Sequence, residues 1–240
     1  MSIEMPVPER ILIVTAHPDD VDFGVAGSVA VWTDAGAHVT YCVVTDGDAG
    51  GSDPTVSRDE MRRIRRVEQE SAAAEVGVKD LVWLGYPDGR VAASIDLRRD
   101  ISRVIRQVQP QRVVTQSPDR LWDRIFASHP DHLAVGEAAT CAVYPDARNP
   151  FAFPELLEEG LEAHTVGELW LMAAPAPDVF VDVTGTIDRK LSALRCHVSQ
   201  SVDSGGELDG WIRSWLAETA VRAGWGAGRL AEGFRRIVTE

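Results

Sequence analysis

Cysteine is scarce in this chain. The three present in 240 residues, Cys42, Cys141 and Cys196, show no zinc-ribbon or redox CxxC spacing, so a disulfide scaffold is not expected. Long apolar runs are missing too. None approaches the roughly 20 residues of a membrane span, and the first, from Ile11 to Thr15, is too short for the core of a secretion signal. Basic residues are outnumbered, 24 Lys and Arg against 37 Asp and Glu, which leaves a net charge of −13. Affinity for nucleic acid and for anionic lipid rests on Lys and Arg, so neither is an expected partner. No internal repeat, low-complexity linker or GxGxxG dinucleotide motif occurs. These absences leave a cytoplasmic protein with neither nucleic acid nor membrane as an expected partner, and with a homo-oligomer left open.

What is present reads as an α/β chain. Hydrophobic residues make up 45% and charged residues 25%, ordinary values for a globular protein. Ile11–Val14 is a branched apolar run of the kind buried on both faces of a parallel sheet. Further strands are expected at 39–45, 80–84, 112–116, 169–173 and 179–183. Helical stretches fall at about 24–35, 58–76, 95–108, 133–141 and 187–197. The tail from Leu208 to Val238 reads as helix interrupted by glycines. Strands alternating with helices imply βαβ units, hence a Rossmann-like three-layer fold with a mainly parallel sheet, taken as a single domain over residues 1–240.

In such sheets, sites form beyond the carboxyl ends of the strands. The loop after the first strand offers His17, Asp19 and Asp20, and the loop after the fourth offers His129, Asp131 and His132. His-Pro-Asp is a good turn sequence, and one copy would mean little. Two copies, both at strand-to-helix loops, carry more weight. Two imidazoles and a carboxylate could form a three-ligand zinc site with a position left for water. Two further side chains beside the metal would serve proton transfer and charge stabilisation.

Ala16-His17-Pro18-Asp19-Asp20 together with His129-Pro130-Asp131-His132 resembles the PIG-L/LmbE-like metal-dependent N-deacetylases, which include deacetylases of mycothiol and bacillithiol biosynthesis. The similarity runs on through Thr45–Gly51, Arg65-x-x-Glu68 to Gly77, Lys190 to Gln200, and Ala231-Glu232-Gly233-Phe234. The resemblance implies that His17, Asp20 and His132 hold zinc, with iron or cobalt also compatible with the donor set. It implies that Asp19 is the general base, that His129 stabilises the oxyanion, that Asp131 orients His129, and that Arg65 holds substrate. The implied reaction is hydrolysis of an N-acyl group, most simply acetyl, from an amino sugar such as N-acetylglucosamine or a related small molecule. One departure stands out. Some members place a tyrosine before the second histidine motif, where this chain has Ile125-Phe126-Ala127-Ser128.

Other positions have two readings each. His197 either lines the site or caps a helix end, and Asp46 either lines the site or serves its glycine-rich turn. Asp88 reads as a turn residue. Trp211 and Trp215, four apart among Leu208, Ile212 and Leu216, read as core sooner than as a wall of the substrate pocket. Alternatives to a deacetylase are an amidase acting on thiol S-conjugates of the mycothiol type and a catalytically silent metal- or sugar-binding module. The unligated Asp19 and His129 speak against the silent module, which has no use for them.

Overall fold

The computed structural model describes residues 6–51, 53–200 and 207–240. Among these described residues seven strands form one sheet: β1 (Arg10–Thr15), β2 (His38–Thr45), β3 (Asp80–Tyr86), β4 (Arg112–Gln116), β5 (Glu168–Met172), β6 (Val179–Asp182) and β7 (Ala231–Val238). Their order is β3-β2-β1-β4-β5-β7-β6. The pairs β3-β2-β1-β4-β5 are parallel, and β7 runs antiparallel to both β5 and β6. The Rossmann-like, mainly parallel sheet expected from the strand–helix alternation is therefore present.

The period of two in the central strands separates two cores. Ile11 and Ile13 of β1, Tyr41 and Val43 of β2 and Val114 of β4 face one side. Leu12, Val14, Cys42, Val44 and Val113 face the other. Helices α1 (Asp20–Gly24), α2 (Ala26–Asp34), α3 (Arg58–Glu75) and α7 (Ile187–Arg195) cover the first face, while α4 (Ile95–Val108) and α5 (Pro130–Cys141) cover the second. A short α6 (Pro154–Glu158) lies in the connection to β5, and α8 (Leu208–Arg222) packs on β7. Among the described residues no helix is long and apolar enough to cross a membrane.

The tail departs from the sequence expectation. Leu208–Arg222 is helical, but Ala231–Val238 is a strand inserted between β5 and β6. The glycines at 224, 226 and 228 are a true break, and the following segment satisfies its backbone by ladder pairing with both neighbours. The helix expected at 24–35 is interrupted at Val25, whose φ of −148° is not helical. The helix expected from Leu133 begins earlier, at Pro130, with proline in the first turn where its missing N–H costs nothing.

Insertion of β7 also explains two stretches of the family resemblance. Glu232 is buried and accepts from Gly27 N (3.1 Å), Ser28 N (2.7 Å) and Ser28 Oγ (2.6 Å) on α2, and pairs with Lys190 Nζ of α7 at 2.6 Å. Lys190 is fully buried and donates as well to the carbonyls of Asp22 and Phe23, which carry the first His-Pro-Asp turn into α1. Breaking one side of such a pair strands a buried charge. Lys190→Met should therefore lose about 3–5 kcal/mol in urea unfolding. An unfolding midpoint and slope like those of the parent protein would show that the pair does not anchor β7.

Candidate active site

The strand order reverses at β1, with β2 on one side and β4 on the other, and the loops after β1 and β4 meet there. His17 and His132 are neighbours although 115 positions separate them in the chain. His17 Nδ1 lies 3.2 Å from His132 Nε2 and 3.4 Å from Asp20 Oδ2, and His132 Nε2 lies 3.0 Å from Asp20 Oδ1. Ligand atoms at two corners of a tetrahedron with bonds of about 2.0–2.1 Å stand about 3.3–3.4 Å apart. The three side chains thus offer a facet of the right size for a metal ion.

Their outer contacts fit that use. Asp20 Oδ2 accepts from His17 N (2.7 Å) and Gln116 Nε2 (2.9 Å), which fixes the carboxylate. His17 Nε2 faces Asp88 Oδ1 at 3.1 Å and Asp131 Oδ2 at 3.3 Å, the carboxylate backing that metal-ligating histidines usually have. His17, Asp88 and Asp131 are all buried. Burial works against a charge on His17, yet the contacts with Asp131, Asp20 and Asp88 push its pKa up to about 12. A cage that holds a proton this firmly is short of positive charge, and a divalent cation would supply it.

Asp19 stands beside this cluster without belonging to the facet. Its φ of 83° is left-handed, a region that Asp tolerates better than most residues. Two side chains of α3, one turn apart, hold it there: Gln69 Oε1 accepts from Asp19 N at 2.8 Å, and Arg65 Nη2 donates to Asp19 Oδ2 at 3.1 Å. Burial pushes the Asp19 carboxyl up to about 6, with the Arg65 charge working the other way. That value suits a group that must accept a proton near neutral pH.

His129 caps α5. Its Nδ1 accepts from Asp131 N at 3.2 Å, so the neutral ring carries its proton on Nε2. Burial and the charges on His17 and His132 hold its pKa down. His129 therefore presents an N–H donor without needing a second proton. Its ring centroid is 4.9 Å from that of His17 and 5.3 Å from that of His132.

Asp19, Asp20, His17, His129, His132, Arg65 and Asp88 line one cavity of about 530 Å³, within the range of small-molecule sites. The same cavity is also lined by residues of α8 (Trp211, Trp215, Thr219, Arg222), of the 3-10 turn before α5 (Arg124, Phe126) and by Phe23.

Several expected positions sit elsewhere. The Asp131 carboxylate does not reach the His129 ring; it accepts from Gly89 N (2.8 Å) and Val91 N (3.2 Å) and backs His17, while only its backbone N–H meets His129. His197 is fully buried behind the cavity, with Nε2 2.8 Å from Asp22 Oδ2, and neither lines the site nor caps α7. Asp46 is bound to Arg62 Nε (2.9 Å) and Arg66 Nη2 (2.7 Å) outside the cavity lining. Arg65 does line the cavity, but its guanidinium is committed to Asp19 and to the carbonyls of Pro18 (2.6 Å) and Gly47 (3.2 Å). A Cβ at Gly47 or Gly50 would overlap Arg65 Nη1, so the glycine-rich loop makes room for this guanidinium. Asp88 is more than a turn residue, because it joins the cage around His17. The α8 stripe straddles core and cavity: Ile212 and Leu216 are buried in the core, Trp215 packs against that core and also lines the cavity, as Leu216 does, and Trp211 lines the cavity.

Gln69 and Gln116 escaped the sequence reading. Gln69 lies four residues after Arg65, on the same helix face, and that spacing was the available signal. Gln116 ends β4 and gave no signal of its own.

The family described as GlcNAc-PI de-N-acetylase (PIG-L) matches residues 12–143. The chain is 33% identical over 235 residues to diacetylchitobiose deacetylase of Thermococcus kodakarensis, covering 95% of this chain and 83% of that protein. It is 31% identical over 217 residues to a probable N-acetyl-alpha-D-glucosaminyl L-malate deacetylase 2 of Bacillus anthracis, covering 88% and 89%. The crystal structure of N,N'-diacetylchitobiose deacetylase from Pyrococcus horikoshii superposes with a TM-score of 0.88 at 30% identity, over 97% of this chain and 85% of that one. With the family match spanning more than half of the sequence and a relative of this identity spanning nearly all of it, the chain belongs to the PIG-L family.

Proposed function

We propose that this protein is a zinc-dependent N-deacetylase that hydrolyses the acetamide of an N-acetylated amino sugar, with residues 1–240 acting as one unit. The observation that carries the proposal is the facet of His17, Asp20 and His132 with Asp19 and His129 beside it in one cavity. The relatives named above, deacetylases of N-acetylglucosamine-containing compounds by their names, support the same reaction. His17, Asp20 and His132 would hold the metal. Zinc suits two imidazoles and a carboxylate, and iron or cobalt would fit the same donors.

When bound, the metal lowers the pKa of a water toward ~7 and polarises the acyl oxygen. The rest falls to the chain's own residues. Asp19 takes a proton from the attacking water as its oxygen bonds to the acyl carbon. The Nε2–H of His129 donates to the oxygen as it gains charge, a contribution of about 3–4 kcal/mol for one well-placed donor. The C–N bond then breaks, and Asp19 returns its proton to the departing amine. The products are acetate and a free amino sugar. This division of labour has no need of the tyrosine that some members carry before the second motif, because the neutral His129 already presents its donor.

The test is acetate release by the zinc-loaded protein from a panel of N-acetylated sugars, with metal content measured on the same sample. Turnover that scales with bound metal is the expected result. A metal-replete protein that releases no acetate from any sugar in the panel would overturn the reading.

A further inference from the structure

The first turn of α1 is not closed from within. Asp19 caps this helix, and its carbonyl accepts from Asp22 N (2.9 Å) and Phe23 N (3.0 Å). A Glu or Gln at the position of Asp22 commonly folds back to accept the N–H of the capping residue. Asp22 is one methylene shorter, and Gln69 of α3 stands between the two. Gln69 Oε1 accepts from Asp19 N at 2.8 Å, and its Nε2 donates to Asp22 Oδ2 at 2.9 Å.

The same Asp22 oxygen has a second partner. His197, just past the end of α7, places its Nε2 2.8 Å from Asp22 Oδ2, and Lys190 of that helix donates to the Asp22 carbonyl at 2.9 Å. Asp22, Gln69 and His197 are fully buried. His197 Nδ1 has no hydrogen-bond partner among the described residues, so the polar chemistry of the ring is spent on Asp22. None of the three side chains takes part in the steps of amide hydrolysis, yet burying them together carries a desolvation cost.

This line of contacts has a direction. An amide turned end for end would set its NH2 against the N–H of Asp19. With Asp22 Oδ2 accepting from Gln69 Nε2, the Oε1 end is the one left to face Asp19. His197 acts one step further back, because its N–H fixes the oxygen that Gln69 also uses. At the near end stands a residue with a left-handed φ of 83°, and a backbone of that kind persists where its surroundings over-determine it.

We propose that His197, Asp22 and Gln69 form a positioning line for the general base: His197 orients the Asp22 carboxylate, Asp22 orients the Gln69 amide, and Gln69 holds the Asp19 backbone so that its carboxylate stays beside the metal facet. The inference rests on the deacetylase reading for the role of Asp19. All three are positioning residues, since they reach the reaction only through Asp19.

The test takes kcat, KM and the zinc dissociation constant on the N-acetylated sugar hydrolysed fastest. Gln69→Met keeps the length of the side chain and removes both hydrogen bonds. It should lower kcat about 10–100-fold at saturating zinc, the cost of a small misplacement of a reacting group. KM and zinc affinity should stay within about twofold, because Asp20 and the ligand histidines are held by other partners. Introduced into Asp19→Asn, the same change should cost no more than about twofold, since the residue it acts through is already disabled. An equal loss in both backgrounds is a general structural effect and overturns the line. His197→Leu should reproduce the kcat loss, and His197→Gln, whose amide N–H can replace Nε2–H, should recover most of it. Equal rates in the two His197 variants also overturn it.

Amide hydrogen exchange at Asp19 reads the same contacts without turnover. Its N–H should be protected in the parent protein and lose protection by about tenfold or more in Gln69→Met and in His197→Leu, but not in His197→Gln. A parent protein whose Asp19 amide exchanges as fast as an exposed one overturns the line with no variant needed. If no sugar is deacetylated but Asp19 protection follows His197 in this way, the deacetylase reading fails and the positioning line stands. If acetate is released while protection ignores both residues, the positioning line fails alone.

Discussion

Asp19→Asn should cost about 10²–10⁴-fold in kcat while leaving the metal content unchanged. Asparagine is the informative replacement for two reasons. It tolerates the left-handed φ of 83° at this position, so the turn that presents His17 and Asp20 is preserved. Its amide oxygen can still accept from Arg65 Nη2, which donates to Asp19 Oδ2 at 3.1 Å. What asparagine cannot do is take a proton from water. Alanine would confound the result, because it lacks the local hydrogen bonding that eases a left-handed backbone and would leave the buried Arg65 without its carboxylate partner. Metal analysis and steady-state rates on the same preparation decide the matter. A kcat near that of the parent protein removes Asp19 as the base, and loss of the metal would move it into the ligand set.

The parts of this site that were legible in sequence share one property: they are local. His17, Asp19 and Asp20 lie within four residues, as do His129, Asp131 and His132, and both groups follow apolar strands whose period of two places them at one rim. The sheet was legible for the same reason, since each central strand carries its own burial pattern. What could not be read depended on partners distant in the chain. Ala231–Val238 is a strand because β5 and β6 flank it, and nothing within the segment announces that. The family resemblance implied that the Asp131 carboxylate orients His129; the fold instead aims it at His17, which is 114 positions away. His197 and Asp46 carry functional chemistry, but α1 and α3 supply Asp22, Arg62 and Arg66 to consume it. Trp211 and Trp215 satisfy a core pattern on a helix that has both a core face and a cavity face, and periodicity alone does not say which face is which.

Removing the metal should have the largest effect of all. A bound cation supplies several kcal/mol toward the transition state, and each 1.36 kcal/mol is tenfold in rate, so exhaustive chelation should lower turnover by about 10³-fold or more, with recovery on adding zinc. His132→Ala should match that loss and resist rescue at zinc concentrations that restore the chelated parent protein, because Nε2 of His132 completes the facet with His17 and Asp20. The graded case is Asp131→Asn. Its carboxylate touches His17 Nε2 at 3.3 Å and not the His129 ring, so the geometry places its influence on the metal. Loss of such an outer partner weakens metal affinity by about 10–100-fold. The expected result is therefore a weaker zinc dissociation constant, with kcat at saturating zinc reduced far less than in Asp19→Asn. If zinc affinity is unchanged while kcat collapses, Asp131 acts through His129, and the contact with His17 is incidental. Turnover that survives chelation intact would remove the metal from the reaction, and with it the reason for two histidines and a carboxylate to stand at the spacing of a coordination facet.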